Sequence, residues 1–216
     1  MLYNKPTIYN TPTIYNTGAG GGGGPDIGGH VYKTVQMPDG LTWFAENLDL
    51  KFPGCTIGGV GDPSTPNAWY YNNDETIYGI DGERKCGLLY NWYAVKLMND
   101  YKSTLFPGWH VATNQELIDL VTSIGGASNA GKKLKSKNIF WSGNWNGTDD
   151  YNFSLLPSGY HYSNFGGVGT VCDLWTSDED GSNNAFYRYL LQNNNSIGSG
   201  SLDKRYGCVV RLVKDY

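Results

Sequence analysis

The sequence predicts an α+β fold in which two helices and short antiparallel strands are joined by long irregular loops. Three observations lead there. The 216 residues include 30 Gly, 17 Tyr and 7 Trp with only 17% charged residues, a composition suited to turns and aromatic packing rather than long amphipathic helices. Apolar residues recur at helical spacing in two stretches only. Elsewhere short apolar runs are separated by Gly, Pro, Asn and Asp clusters, as strands are by turns.

Taken in order, residues 1–17 hold a direct repeat, Pro6-Thr7-Ile8-Tyr9-Asn10-Thr11 and then Pro12-Thr13-Ile14-Tyr15-Asn16-Thr17. Proline every sixth residue among β-favouring neighbours gives extended chain that cannot pair as a central strand. Such a segment orders by docking on a carrier or a neighbouring subunit; undocked, it is a disordered tail. Residues 18–28 open with Gly18-Ala19-Gly20-Gly21-Gly22-Gly23-Gly24 and read as a flexible linker. No Lys-Ser/Thr follows to make a phosphate loop. The ligand-binding domain is then 29–216.

Val31 to Gln36 alternates as a strand, Met37-Pro38-Asp39-Gly40 is a turn, and Leu41 to Ala45 resumes a strand, so a hairpin opens the domain. A loop rich in Gly and Pro follows. Leu88 to Met98 has helical spacing and predicts the first helix. Pro107 to Ala112 is a turn and short strand. Thr113 stands three residues before Glu116, a capping box that starts the second helix; Leu117, Leu120, Val121 and Ile124 form its apolar face, and Gly125-Gly126 stops it. Gly131-Lys132-Lys133-Leu134-Lys135-Ser136-Lys137 reads as a solvated face or loop. Phe153 to Tyr160 predicts a strand ending in a turn, Gly166 to Gly169 another turn, and Cys208 to Val213 a last strand returning beside the first hairpin.

Between Leu174-Trp175-Thr176-Ser177 and Val210-Arg211-Leu212-Val213 the chain changes character. Residues 183–208 mix Tyr, Asn, Ser, Gly, Asp and Arg with no period of 2 or 3.6. Tyr and Arg supply anchors for a contact surface, and Ser, Gly and Asn supply adaptable hydrogen bonds. This stretch is expected to bind a ligand.

Other functions fit less well. A net charge of −4 argues against a nucleic-acid partner, which needs clustered Lys and Arg. No apolar run of about eighteen residues is present, so membrane insertion is not expected. The N-terminus lacks a basic stretch followed by an apolar one, so no signal peptide is expected. Cys55, Cys86, Cys172 and Cys208 lie far apart without zinc or redox spacing; they allow three disulfide pairings, with free thiols the default. His30, His110 and His161 have no partner at metal or acid–base spacing. The sequence assigns no catalytic residue, no metal ligand and no cofactor. Asp149-Asp150 and Asp178-Glu179-Asp180 are the acidic turns that could take Ca²⁺.

Six blocks in order carry a family resemblance: Thr42-Trp43-Phe44-Ala45-Glu46-Asn47-Leu48, Gly87-Leu88-Leu89-Tyr90-Asn91-Trp92-Tyr93-Ala94, Pro107-Gly108-Trp109-His110-Val111-Ala112-Thr113, Phe153-Ser154-Leu155-Leu156-Pro157-Ser158-Gly159, Leu174-Trp175-Thr176-Ser177 and Val210-Arg211-Leu212-Val213-Lys214-Asp215. The chain resembles the Fibrobacter succinogenes major paralogous domain from about residue 30 to 215; the repeat and linker fall outside it. The resemblance implies a C-type-lectin-like fold related to the formylglycine-generating enzymes. None of the four Cys matches the catalytic motif of those enzymes, and Thr65-Pro66-Asn67 lacks the acid of calcium-lectin triplets.

The broad group includes variable proteins diversified by retroelements in phages and bacteria. Mutagenesis of Asn codons there yields Tyr, Ser, Gly, Asp, Leu or Val, outcomes found at Tyr187, Tyr189, Leu191, Gly200, Ser201, Leu202, Asp203, Tyr206 and Val209. The expected ligand-binding residues are Tyr187, Tyr189, Leu191, Gly200, Ser201, Leu202, Asp203, Tyr206 and Cys208. The resemblance implies a phage tail-fibre tip or tropism determinant in the virion. Its expected partners are a host cell-surface protein or glycan and, through the repeat, a carrier tail or fibre protein. A homotrimer would add avidity. The alternatives are a bacterial cell-surface, adhesin-like domain and a structural virion decoration protein.

Overall fold

A computed structural model describes residues 24–59, 62–74, 86–137, 141–144 and 147–216. The repeat of 1–17, and the linker of 18–28 up to residue 23, lie outside the described residues. In chain order the strands are β1 Asp26–Ile27, β2 His30–Val31, β3 Thr34–Gln36, β4 Thr42–Phe44, β5 Thr56–Ile57, β6 Asn67–Trp69 and β7 Leu89–Tyr90. They continue as β8 Trp109–Val111, β9 Ser158–His161, β10 Phe165–Val168, β11 Val171–Asp180, β12 Asn184–Leu191, β13 Gly198–Asp203 and β14 Leu212–Lys214. The helices are α1 Trp92–Asp100, α2 Lys102–Leu105, α3 Asn114–Ser123 and α4 Ala127–Leu134. None is long and apolar enough to cross a membrane.

The expected α+β, C-type-lectin-like fold with two helices is therefore corrected. Among the described residues the protein is mostly β, with fourteen strands in four sheets and only short helices. The orders are β1-β2, β3-β4-β14-β8, β5-β6-β7 and β10-β9-β11-β12-β13. The reason lies in stretches that read as loops. Gly198 to Asp203, rich in Gly and Ser, is a full edge strand paired antiparallel with Asn184 to Tyr189. Phe165–Val168, read as a turn, is a strand against β9.

The last strand does return beside the first hairpin, with Val213 opposite Trp43 on one side and His110 on the other. Period-2 alternation there sends neighbouring side chains to different cores. Phe44, Trp175 and Leu212 enter a core with Tyr90, Trp92 and Trp109; Trp43, Leu174 and Val213 enter a second with Leu117, Leu134 and Phe153. Strands buried on both faces read as continuous apolar runs.

The capping box forms as expected, Thr113 Oγ1 accepting from the Glu116 amide and Glu116 from the Thr113 amide. The first helix starts later than its apolar spacing suggested. Leu89–Tyr90 pairs with β6, and the Asn91 side chain caps α1 by accepting from the Ala94 amide at 3.0 Å. The lysine-rich segment is another departure. Residues through Leu134 form α4, and Lys135 is buried, its ammonium donating to the carbonyls of Leu191 and Asn194. Arg211 is wholly buried and donates to Asn47 Oδ1 and to the carbonyls of Phe44, Phe153 and Ser154. Lys135 thereby ties the end of α4 to the β12–β13 turn of the five-stranded sheet that carries the candidate site, and Arg211 ties the approach to β14 to the segments after β4 and before β9.

Candidate functional site

Strand register alone gathers the site. Asp173 and Trp175 of β11 stand opposite Tyr189 and Tyr187 of β12, which stand opposite Gly198 and Gly200 of β13. On the other side β9 runs parallel to β11 with Cys172 beside Gly159, so Tyr160 lies beside Asp173, and Tyr160 pairs with Gly166 of β10. Residues opposite one another share a face. One face therefore carries Tyr160, Asp173, Trp175, Tyr187 and Tyr189 in its middle and glycines at both edges. The glycines are needed there. A Cβ at Gly198 would sit 2.1 Å from the Tyr189 ring, and one at Gly166 would sit 2.8 Å from the Tyr160 ring. The rings lie flat over the edge strands.

Two further tyrosines extend the surface. Tyr206 stacks on Tyr162 at 4.4 Å and stands 6.2 Å from Tyr160; Tyr187 and Tyr189 stack at 5.6 Å. Arg205 lies over the Tyr162 ring and is held by Asp203, which accepts from its Nε at 2.9 Å. That bond lowers the Asp203 pKa. Beside Arg205 opens a cleft of about 410 Å³ walled by Trp69, His161 and Tyr162, with His161 stacked on Trp69 at 4.1 Å. Burial of Asp173 lifts its carboxyl to about 7. Burial, with the Asp173 charge adding to it, pushes the Tyr187 phenol up to about 12.

Among known families, the model described as the Fibrobacter succinogenes major domain matches residues 39–214. The chain belongs to this family. No curated protein and no solved structure matches it.

In this Fibrobacter major domain the expected binding residues divide three ways. Tyr187, Tyr189, Leu191, Gly200 and Leu202 fall on the tyrosine face by register, and Tyr206 joins them through its ring contacts. Gly200 serves as floor under Tyr187, and Leu202 packs against the core as well. Ser201 and Asp203 alternate to the opposite face. Cys208 is fully buried and belongs to the core, as does Val209. The sequence reading missed Tyr160, Tyr162 and Asp173, and it included Arg205 in the contact stretch without naming it singly. Tyr160 and Tyr162 are legible as an i, i+2 pair and Asp173 as the residue two before Trp175; the sequence reading takes Tyr160 only as the end of a strand and assigns the other two nothing.

Residues weighed for other chemistry in this family member have structural partners. His110 bridges Asp215 at 2.6 Å and Glu116 at 2.8 Å. Its hydrogen bond to Glu116 raises its pKa, over the opposing effect of burial. Asp149 accepts from the amide and hydroxyl of Ser154; Asp178 accepts from the Asn114 amide at the start of α3; Glu179 pairs with Lys204. The four cysteines are free, and burial pushes the thiols of Cys55, Cys86 and Cys172 up to about 12. Among the described residues no three His, Cys, Asp or Glu side chains converge on a metal position.

Proposed function

We propose that this protein is a recognition module presenting the tyrosine face of its five-stranded sheet to a host cell-surface target, as a retroelement-diversified phage tail-fibre tip would. The observation that carries the reading is the grouping of Tyr160, Tyr162, Tyr187, Tyr189 and Tyr206 with Arg205 on one surface. Tyr and Arg are the residues that dominate binding energy when they form a rigid cluster, since they bring large contact area at small entropic loss. Several expected diversified positions fall on this face, while the residues that position it are buried. Trimeric display on a fibre would multiply a weak single contact.

The test is labelling of whole bacterial cells across a strain panel by the fluorescent full chain, counted by flow cytometry. Exchanging Tyr162, Tyr189 and Arg205 together for Ala should abolish labelling of every strain the parent binds while thermal unfolding stays nearly unchanged. A triple variant that labels as the parent does, or a parent that labels no strain, refutes the reading. An adhesin-like cell-surface domain would use the same face. A tail gene upstream, and a reverse transcriptase gene beside a near copy of the segment after Trp175, favour the phage reading over it.

A further inference from the structure

Asp173 has no evident structural use. The residue is 9% exposed, its carboxyl oxygens are not sealed from solvent, and among the described residues none donates a hydrogen bond to the carboxyl or pairs with it. The buried cations Lys135, Arg188, Lys204 and Arg211 donate to backbone carbonyls and to Asn114, Glu179 and Asn47. A carboxylate held mostly out of water without a partner is costly, and structures keep few of them. This one lies on the central strand of the five-stranded sheet, with Tyr160 beside it on β9 and Tyr189 opposite it on β12. Both rings lean outward over edge glycines, Gly166 and Gly198, leaving the carboxyl between them.

The surroundings fit a cation. Tyrosine faces attract ammonium and guanidinium groups, and a desolvated carboxylate forms strong charge-assisted hydrogen bonds with them. The small exposure of Asp173 limits the visitor's shape. A long, thin, apolar stem ending in charge can pass between the rings, as lysine and arginine stems do along aromatic surfaces. A sugar ring carrying its amine one bond from the ring cannot reach as deep.

We propose that the Asp173 carboxylate receives the cationic end of a lysine or arginine side chain from a protein partner, with Tyr160, Tyr187 and Tyr189 lining the stem. The proposal rests on the tyrosine face being the binding surface and names the chemistry it selects.

The test is an NMR titration of the full chain with three capped peptides, Gly-Lys-Gly, Gly-Arg-Gly and Gly-norleucine-Gly, and with a glucosamine tetramer. The lysine and arginine peptides should shift the Asp173 carboxyl carbon and the Tyr187 and Tyr189 rings, and bind about tenfold tighter than the norleucine peptide. Asp173→Asn should remove that tenfold preference and leave norleucine binding as it was. Equal binding of lysine and norleucine peptides, an unchanged preference in Asp173→Asn, or tightest binding by the glucosamine tetramer overturns the proposal. The two readings separate. Ring shifts without any effect of charge sink the cation site and keep the face. A response at Asp173 without one at the tyrosines overturns the proposal, because the stem would then not lie between the rings. Silence from all four probes overturns the cation site, and cell labelling then decides the face.

Discussion

Asp173→Asn should make the protein more stable, and only at neutral and alkaline pH. The unfolded chain releases the Asp173 proton near 3.8, whereas burial in the folded protein lifts the carboxyl to about 7. Between those values the native state holds more protons than the unfolded state, so stability falls as pH rises. The loss begins above the unfolded value and is complete once pH has passed the folded one. At 1.36 kcal/mol per pH unit the gap corresponds to about 4 kcal/mol, an upper bound because the site relaxes. An amide of the same shape carries no charge to bury. We therefore expect a gain of about 2–4 kcal/mol at pH 8, or roughly 5–10 °C in Tm for a chain of this length, and almost none at pH 4. The facing groups are the phenols of Tyr160, Tyr187 and Tyr189 and the thiol of Cys208; burial raises the Cys208 thiol well above its ordinary range. Urea unfolding of parent and variant at pH 4, 6 and 8 measures the difference directly, since all other titrating groups cancel. A variant no more stable than its parent at pH 8, or equally stabilised at pH 4 and pH 8, refutes the reasoning. Stability gained together with loss of lysine-peptide binding would mark Asp173 as a residue kept for function at the expense of the fold.

Other perturbations test the scaffold. Trp43→Ala removes a wholly buried ring from the core around Leu117 and Phe153 and should cost on the order of 3–5 kcal/mol in urea unfolding. Gly198→Ala should disturb Tyr189 more than Gly200→Ala disturbs Tyr187, because the added methyl meets the rings at 2.1 Å and 3.1 Å respectively; aromatic NMR shifts in the reverse order would count against the flat-ring arrangement. His110→Gln should destabilise more at acidic than at alkaline pH. A folded pKa raised above 6.5 gives stability that is present below that value and fades as pH climbs through the folded one; thermal unfolding at pH 6 and pH 9 checks the sign.

What could be read from sequence was what depends on neighbours in the chain. The Thr113–Glu116 box is a contact across three residues, and the Met37–Gly40 turn closes a hairpin whose register is local. The return of β14 beside Trp43 was also legible, because a run apolar on both faces belongs between two cores. Long-range chemistry was hidden. Lys135 looked like one lysine in a basic run, and its burial depends on carbonyls from Leu191 and Asn194, more than fifty residues away. Gly126 reads as a helix stop, yet with φ of 87° it also starts α4, so the Lys-rich segment passed for loop.

The stretch expected to bind reads as unpatterned loop in the sequence and is a pair of strands in the fold, for one physical reason. A strand shows alternation when one face meets water and the other a core. β12 instead sets Tyr187, Tyr189 and Leu191 on the tyrosine face and Phe186, Arg188 and Leu190 behind, so large side chains occur on both sides and the period vanishes. Its partner β13 gives up side chains at Gly198 and Gly200 to seat the tyrosine rings, which strips the apolar signal from a true strand. The sheet is held by Arg188 on Asn114 and by Lys135 on the hairpin's far turn. With backbone register secured by those contacts, the front of the sheet can change residue by residue without changing shape. Asp173 is the exception on that front: it sits on the central strand, most of it is covered, and its charge, rather than its shape, would decide what the surface holds.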